Sequence, residues 1–167
     1  SRFYVGAVLC LNGLWMLGRI ADKEIWVINI FTGVVSLCIG LASIFGPAAD
    51  AASVKSGALT LLFAFTYLWV AFNRFSGADG RGLGWFSLFV AVTVLPVALS
   101  AFANIHSTLD LWMAWNWAAW SALWFMFFLL LALQKPIARM TGMVTAAEGV
   151  LTGADDDEAE ELLLGLA

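Results

Sequence analysis

The sequence predicts an all-α membrane protein: six transmembrane helices, paired as three two-helix hairpins in a twisted bundle, with the N-terminus outside. Three observations predict it. Of 167 residues, 62% are hydrophobic and only 12% charged, where a soluble domain carries about 25% charged residues. The apolar residues fall in long blocks separated by polar punctuation. Most blocks approach the roughly 20 residues that a helix needs to cross a bilayer. The basic residues gather in alternate links between the blocks. Strand-sized alternating segments, the signature of a barrel, are absent.

The basic links set the orientation. Arg19 and Lys23 lie between helices 1 and 2, Arg74 and Arg81 between helices 3 and 4, and Lys135 and Arg139 between helices 5 and 6. The other two links offer only Lys55 and His106. Basic links face the cytoplasm, so the three agree on an external N-terminus.

The whole chain, 1–167, reads as a single domain. Helix 1 is expected over 3–17, ending at Gly18-Arg19, and helix 2 over 25–45, ending at Gly46-Pro47. Helix 3 is expected over 59–72, closed by Asn73-Arg74. Helix 4 covers 85–102, with Pro96 expected to kink it and to free a carbonyl that neighbours must satisfy. Helix 5 covers 111–133. Helix 6 is expected over 137–167, with an atypical last segment: six of the chain's 12 acids crowd into Asp155–Glu161. A lone Arg2 precedes helix 1 and no small-residue cleavage site follows, so no signal peptide is expected.

Helix 5, LWMAWNWAAWSALWFMFFLLLAL, holds no charge and five tryptophans. Trp112, Trp115 and Trp117 sit near one end, where an aromatic belt at headgroup level accounts for them. Trp120 and Trp124 do not fit that account, since Trp124 lies about 20 Å along the helix. Their i, i+4 spacing puts both indoles on one face. That face either packs against a neighbouring helix or lines a path. Phe63 and Tyr67 repeat the spacing on helix 3. Two facing aromatic pairs would form a slot for a planar, neutral, polar molecule. The Tyr67 hydroxyl and the indole N–H groups are then the donors that replace lost hydration. An ion would lose too much hydration there.

A Leu-Trp pair recurs at Leu14-Trp15, Leu68-Trp69 and Leu123-Trp124, at intervals of 54 and 55 residues. A basic turn follows each pair, which is the basis for the three hairpins. Internal repeats in transport proteins often surround a site near the bilayer midplane. Glu148 is the one acid expected deep within a helix. An intramembrane carboxylate is costly and is a functional candidate; the structural alternative is a hydrogen bond to a group such as Asn12. Two small-residue pairs, Ser36 with Gly40 and Gly149 with Gly153, permit close helix packing.

Several classes are excluded. No Ser-His-Asp set, zinc-ligand spacing or phosphate-binding glycine loop is present, so no enzyme and no cofactor or metal is expected. No basic surface points to nucleic acid. Cys10 and Cys38 both lie in apolar segments and read as small hydrophobes.

The sequence resembles the AmiS/UreI family of amide and urea channels. The resemblance is carried by YVGAVLCLNG (4–13), LLFAFTYLWVAFN (61–73), GWFSLFVA (84–91), WAAWSALWFMFFLL (117–130) and AAEGVLT (146–152), in order over most of the chain. It implies six helices as three twisted hairpins, a pore within each protomer and a ring of six protomers. It implies a pore lined by Leu9, Phe63, Tyr67, Trp120, Leu123 and Trp124, with Asn12 and Glu148 at polar positions. It implies a multi-pass protein of the bacterial inner (cytoplasmic) membrane, in contact with lipid, whose partners are urea or small aliphatic amides. Two features depart from the family: the acidic run after EGVLT, and short outer links with one histidine where acid-opened urea channels have long His-rich loops.

The resulting expectation is passive passage of urea or small neutral amides. One alternative is proton-coupled amide transport through Glu148 and the acidic run. The other is an assembly protein whose Trp faces only join protomers.

Overall fold

The computed structural model describes residues 2–153 and is all-helical over them. Six α-helices follow in order: α1 Arg2–Met16, α2 Ile25–Phe45, α3 Ala51–Ser76, α4 Arg81–Ala103, α5 Thr108–Phe127 and α6 Ala138–Gly153. A five-residue π-helical turn, Phe128–Ala132, extends α5. Helices α2, α3, α4 and the extended α5 are long and apolar enough to cross a membrane. Among the described residues α1 and α6 are shorter, at 15 and 16 residues.

Helix starts and stops follow local chemistry. Helix α3 begins eight residues before the expected Leu59, because Asp50 and Ser53 form a capping box. The Ser53 N–H donates to the Asp50 carboxylate at 2.7 Å, and the Asp50 N–H donates to the Ser53 hydroxyl at 2.8 Å. Reciprocal bonds of this kind satisfy two otherwise orphaned backbone donors. The Ser53 backbone N–H, then its hydroxyl, hold the Asp50 carboxyl below its ordinary 3.8. At the other end Gly77, at φ 73°, closes α3 in the left-handed region that glycine occupies without penalty. Helix α4 runs on through Pro96 to Ala103. The Ser107 side chain accepts the Asp110 N–H and starts α5. The expected end of helix 6 at residue 167, with its acidic run Asp155–Glu161, lies outside the described residues.

The tightest helix pairs are antiparallel: α6 on α1, α2 on α3, and α4 on the extended α5. They are offset by one helix from the sequential hairpins, whose partners α1–α2, α3–α4 and α5–α6 meet more lightly. Small residues explain the preference. A Cβ added at Gly149 would lie 2.7 Å from the Cys10 Cα, and one at Gly13 would lie 2.6 Å from the Ala146 Cα. One at Gly57 would lie 2.8 Å from the Gly40 carbonyl oxygen, and one at Gly84 would lie 3.0 Å from the Ala132 Cα. Backbones in such contact gain dispersion that lipid, itself apolar, cannot match.

The looser seams are joined by polar bonds. Asn12 on α1 and Asn29 on α2 pair through both amides. On α5, Trp120 donates to Thr152 of α6, while Trp124 donates to Thr66 of α3. Asn12, Thr66 and Ser121 each stand three residues before the tryptophan of a Leu-Trp pair, and all three are buried. So the repeat carries a polar position as well as an aromatic one.

Candidate functional site

Among the described residues, three cavities follow one another through shared lining residues. The first, about 190 Å³, is lined by Val5, Ser36, Ser56, Thr60, Trp117 and their neighbours. The central one, about 40 Å³, is lined by Leu9, Asn12, Phe63, Thr66, Tyr67, Trp120, Leu123, Trp124 and others. The third, about 60 Å³, includes Trp15, Asn73, Arg74, Leu130 and Leu131. Helices α1, α3 and α5 pass all three in step: Val5, Leu9 and Trp15 on α1; Thr60, Tyr67 and Arg74 on α3; Trp117, Leu123 and Leu130 on α5. Phe63 and Trp120 line both the first and central cavities. Val70, Leu83 and Phe127 line both the central cavity and the third.

All six residues of the expected aromatic and leucine lining, and Asn12, therefore meet at one cavity. Glu148 is buried but is not among the residues lining it. Its Oε2 finds no hydrogen-bond partner among the described residues. The expected bond to Asn12 is not made, because Asn12 is paired with Asn29 instead.

The rings are in contact. Phe63 stands edge-on to Trp120 at 5.0 Å between centroids and tilted against Trp124 at 4.7 Å. Trp117 meets Trp120 edge-on, also at 5.0 Å. Centroid distances of 4.5–7 Å are those of packed aromatic pairs. Phe63 and Trp120, which line both the first and the central cavity, are thus in ring contact with each other where the two cavities meet.

The indole donors are not where the sequence suggested. Trp120 Nε1–H donates to the Thr152 hydroxyl at 3.0 Å, and Trp124 Nε1–H donates to the Thr66 hydroxyl at 3.3 Å. A buried N–H takes the nearest acceptor, and here that acceptor belongs to a neighbouring helix. Tyr67 is buried and lines the central cavity. Of the belt tryptophans, Trp115 is exposed, Trp112 is buried and Trp117 half-buried against the core.

Sequence reasoning missed Asn29, Thr66, Ser87, Thr145 and Thr152. A signal for several of them exists. Asn29, Thr32 and Ser36 on α2, and Thr141, Thr145, Glu148 and Thr152 on α6, form polar stripes at i, i+3, i+4 and i+7 spacings. A polar stripe in a lipid-facing helix must turn inward, and all seven residues are buried.

Helices of spanning length around a row of cavities define a helical membrane transport protein. The chain belongs to the AmiS/UreI family: the AmiS/UreI family transporter profile matches residues 2–154. A putative amidate substrates transporter protein of Mycolicibacterium smegmatis is 42% identical over 153 residues, covering 91% of this chain and 70% of the relative. The acid-activated urea channel of Helicobacter pylori strain 26695 is 34% identical over 174 residues, covering 89% of each chain. The cryo-EM structure of the H. pylori urea channel in its closed state superposes with a TM-score of 0.81 at 31% identity, covering 99% of this chain and 97% of that one. The crystal structure of the urea channel from H. pylori gives 0.79 at 33% identity, covering 99% and 96%.

Proposed function

We propose that this chain is a passive channel for urea or small neutral amides across the bacterial inner (cytoplasmic) membrane. The observation that carries the reading is the row of cavities, passed in step by α1, α3 and α5. Leu9, Phe63, Tyr67, Trp120, Leu123 and Trp124 line the narrow part, and Asn12 is its polar group. Each protomer has its own pore, in a single channel domain over 1–167. The three sequential hairpins associate into a twisted bundle with the N-terminus outside, meeting one another along the tight α6–α1, α2–α3 and α4–α5 seams. Protomers assemble as a homo-oligomer, a hexamer by family resemblance, with lipid against the remaining apolar faces.

The chemistry favours a neutral solute. The central cavity has room for about three waters, at roughly 10–15 Å³ of this measure each. A primary amide or urea, with four heavy atoms, is of that scale. Aromatic faces supply dispersion to a planar molecule, and the Tyr67 hydroxyl offers one donor and one acceptor. A bare ion finds no compensation for its lost hydration there. The relatives' names, urea channel and amidate transporter, point to the same solute class.

A second reading rests on Glu148, whose buried Oε2 lacks a partner among the described residues. A carboxyl of that kind fits a proton-coupled transporter. The test is osmotic swelling of proteoliposomes by stopped flow with urea, formamide and acetamide, followed by a radiolabelled-solute assay with and without a proton gradient. Solute-selective flux that equilibrates without accumulation supports the channel. Accumulation against a gradient supports Glu148-coupled transport. No flux above protein-free vesicles supports an assembly role.

A further inference from the structure

The two pore tryptophans are tethered with a fixed polarity. Thr152 accepts from Trp120 Nε1–H, and its own single proton goes to Asn116 Oδ1 at 3.3 Å. Asn116 in turn donates to the Trp112 carbonyl at 2.9 Å. Thr66 accepts from Trp124 Nε1–H and donates to the Leu62 carbonyl at 2.8 Å. A hydroxyl has one proton, and in both threonines it is committed. An indole N–H only donates, so each hydroxyl accepts from its indole while its own proton goes elsewhere. Turning either indole would leave a buried N–H without a partner, which is disfavoured in an apolar bundle.

We infer that Thr66 and Thr152 are positioning residues that set the specificity of the path. They hold the indoles by their edges, so that ring faces rather than N–H groups flank the solute. The inference rests on the channel reading above. With both indoles tethered, Phe63 is the unanchored ring of the partition, since it has no polar atom and touches Tyr67, Trp117, Trp120 and Trp124 only through its ring. The opening is then the gap that Phe63 leaves between two fixed walls. A fixed gap admits a thin, planar amide and rejects a bulkier one. A free indole N–H would give the slot an extra donor and a variable width.

The test is the ratio of urea to propionamide permeability in proteoliposomes, measured for wild type, Thr152→Val, Thr152→Ser and Thr66→Val. Valine keeps the shape and removes the acceptor; serine keeps the acceptor. The ratio should fall about three- to tenfold in each valine variant, the factor to which one net hydrogen bond corresponds. Thr152→Ser should restore the wild-type ratio. A purely structural threonine predicts that both solutes slow by the same factor, and an unchanged ratio would overturn the inference while leaving the channel reading intact. Failure of serine to restore the ratio would also overturn it, since the methyl and not the hydroxyl would then matter. Absent wild-type flux would overturn both. Should Thr152→Val not assemble, Thr66→Val decides by the same ratio.

Discussion

Asn12 and Asn29 exchange two side-chain hydrogen bonds, at 3.0 and 2.7 Å, across the seam between α1 and α2. The second proton of the Asn29 amide goes to the Ile25 carbonyl at 2.9 Å. Asn29 thereby fixes which edge of Asn12 meets the central cavity. Asn29→Leu leaves the Asn12 amide half-satisfied in an apolar surround. The expected loss is about 1–3 kcal/mol of stability. Replacing both residues by leucine should lose less than twice that, because no polar group is then stranded. Thermal unfolding of the purified single and double variants in detergent measures it; equal and additive losses would contradict the pairing.

Trp124 is the ring in closest centroid contact with Phe63. Trp124→Ala opens the partition and should change the order of permeability among urea, formamide and acetamide, while the protein still inserts and assembles. The check is the stopped-flow panel on the variant alongside its size-exclusion profile. Identical rates for every solute would place Trp124 outside the path.

The alternating basic links predict an external N-terminus. A single cysteine ahead of Arg2, in a background where Cys10 and the exposed Cys38 are replaced, should react with an impermeant maleimide on intact cells. Reaction only after lysis would reverse the orientation.

Flux should stay nearly constant between about pH 5 and 7.5. Histidine is the side chain that ordinarily titrates in that window, and His106, an exposed residue of the α4–α5 link, is the only one in the chain. Driving a gate from mostly shut to mostly open takes roughly 5.5 kcal/mol, whereas a one-unit pKa change supplies about 1.4 kcal/mol. Asp50 adds nothing here. Its lowered pKa makes the α3 cap's contribution complete above the ordinary carboxylate value and lost only as pH falls through the folded one, below about 4. Urea flux across this range, with His106→Ala in parallel, is the measurement. A steep acid rise abolished by His106→Ala would make His106 a sensor; a rise that survives it would direct attention to Glu148.

Gly149→Val places a side chain against the Cys10 backbone. Backbone cannot yield as a side-chain tip can, so α6 must move off α1. A loss of about 1–3 kcal/mol is expected, read as a lower melting temperature in detergent. An unchanged melting temperature would show that the seam has slack.

Much of this architecture was legible in the sequence because the bilayer imposes simple rules on length and charge. Helix α2 was bounded correctly at Ile25 and Phe45, where apolar content changes sharply. The start of α3 was missed because the capping box at Asp50 and Ser53 precedes a polar first turn that hydropathy does not mark. Resemblance and helical spacing grouped Asn12, Phe63, Tyr67, Trp120 and Trp124, and these five line one cavity. Their hydrogen-bond partners Asn29, Thr66 and Thr152 were not grouped with them, since a threonine in an apolar helix bonds equally well to its own preceding turn, as Thr145 does to Thr141. Thr66 makes both bonds at once, so the residue type alone does not mark the interhelical one.

The seam between α6 and α1 has a topological consequence. Each tight pair joins one helix to the next in chain order, and α6 completes the series by meeting α1, with Gly153 beside Gly6. The neighbour relations thus form a closed cycle with no first member. A circular permutant that opens the chain between α2 and α3, and bridges the end of α6 to the start of α1, would keep every helix beside its present partners.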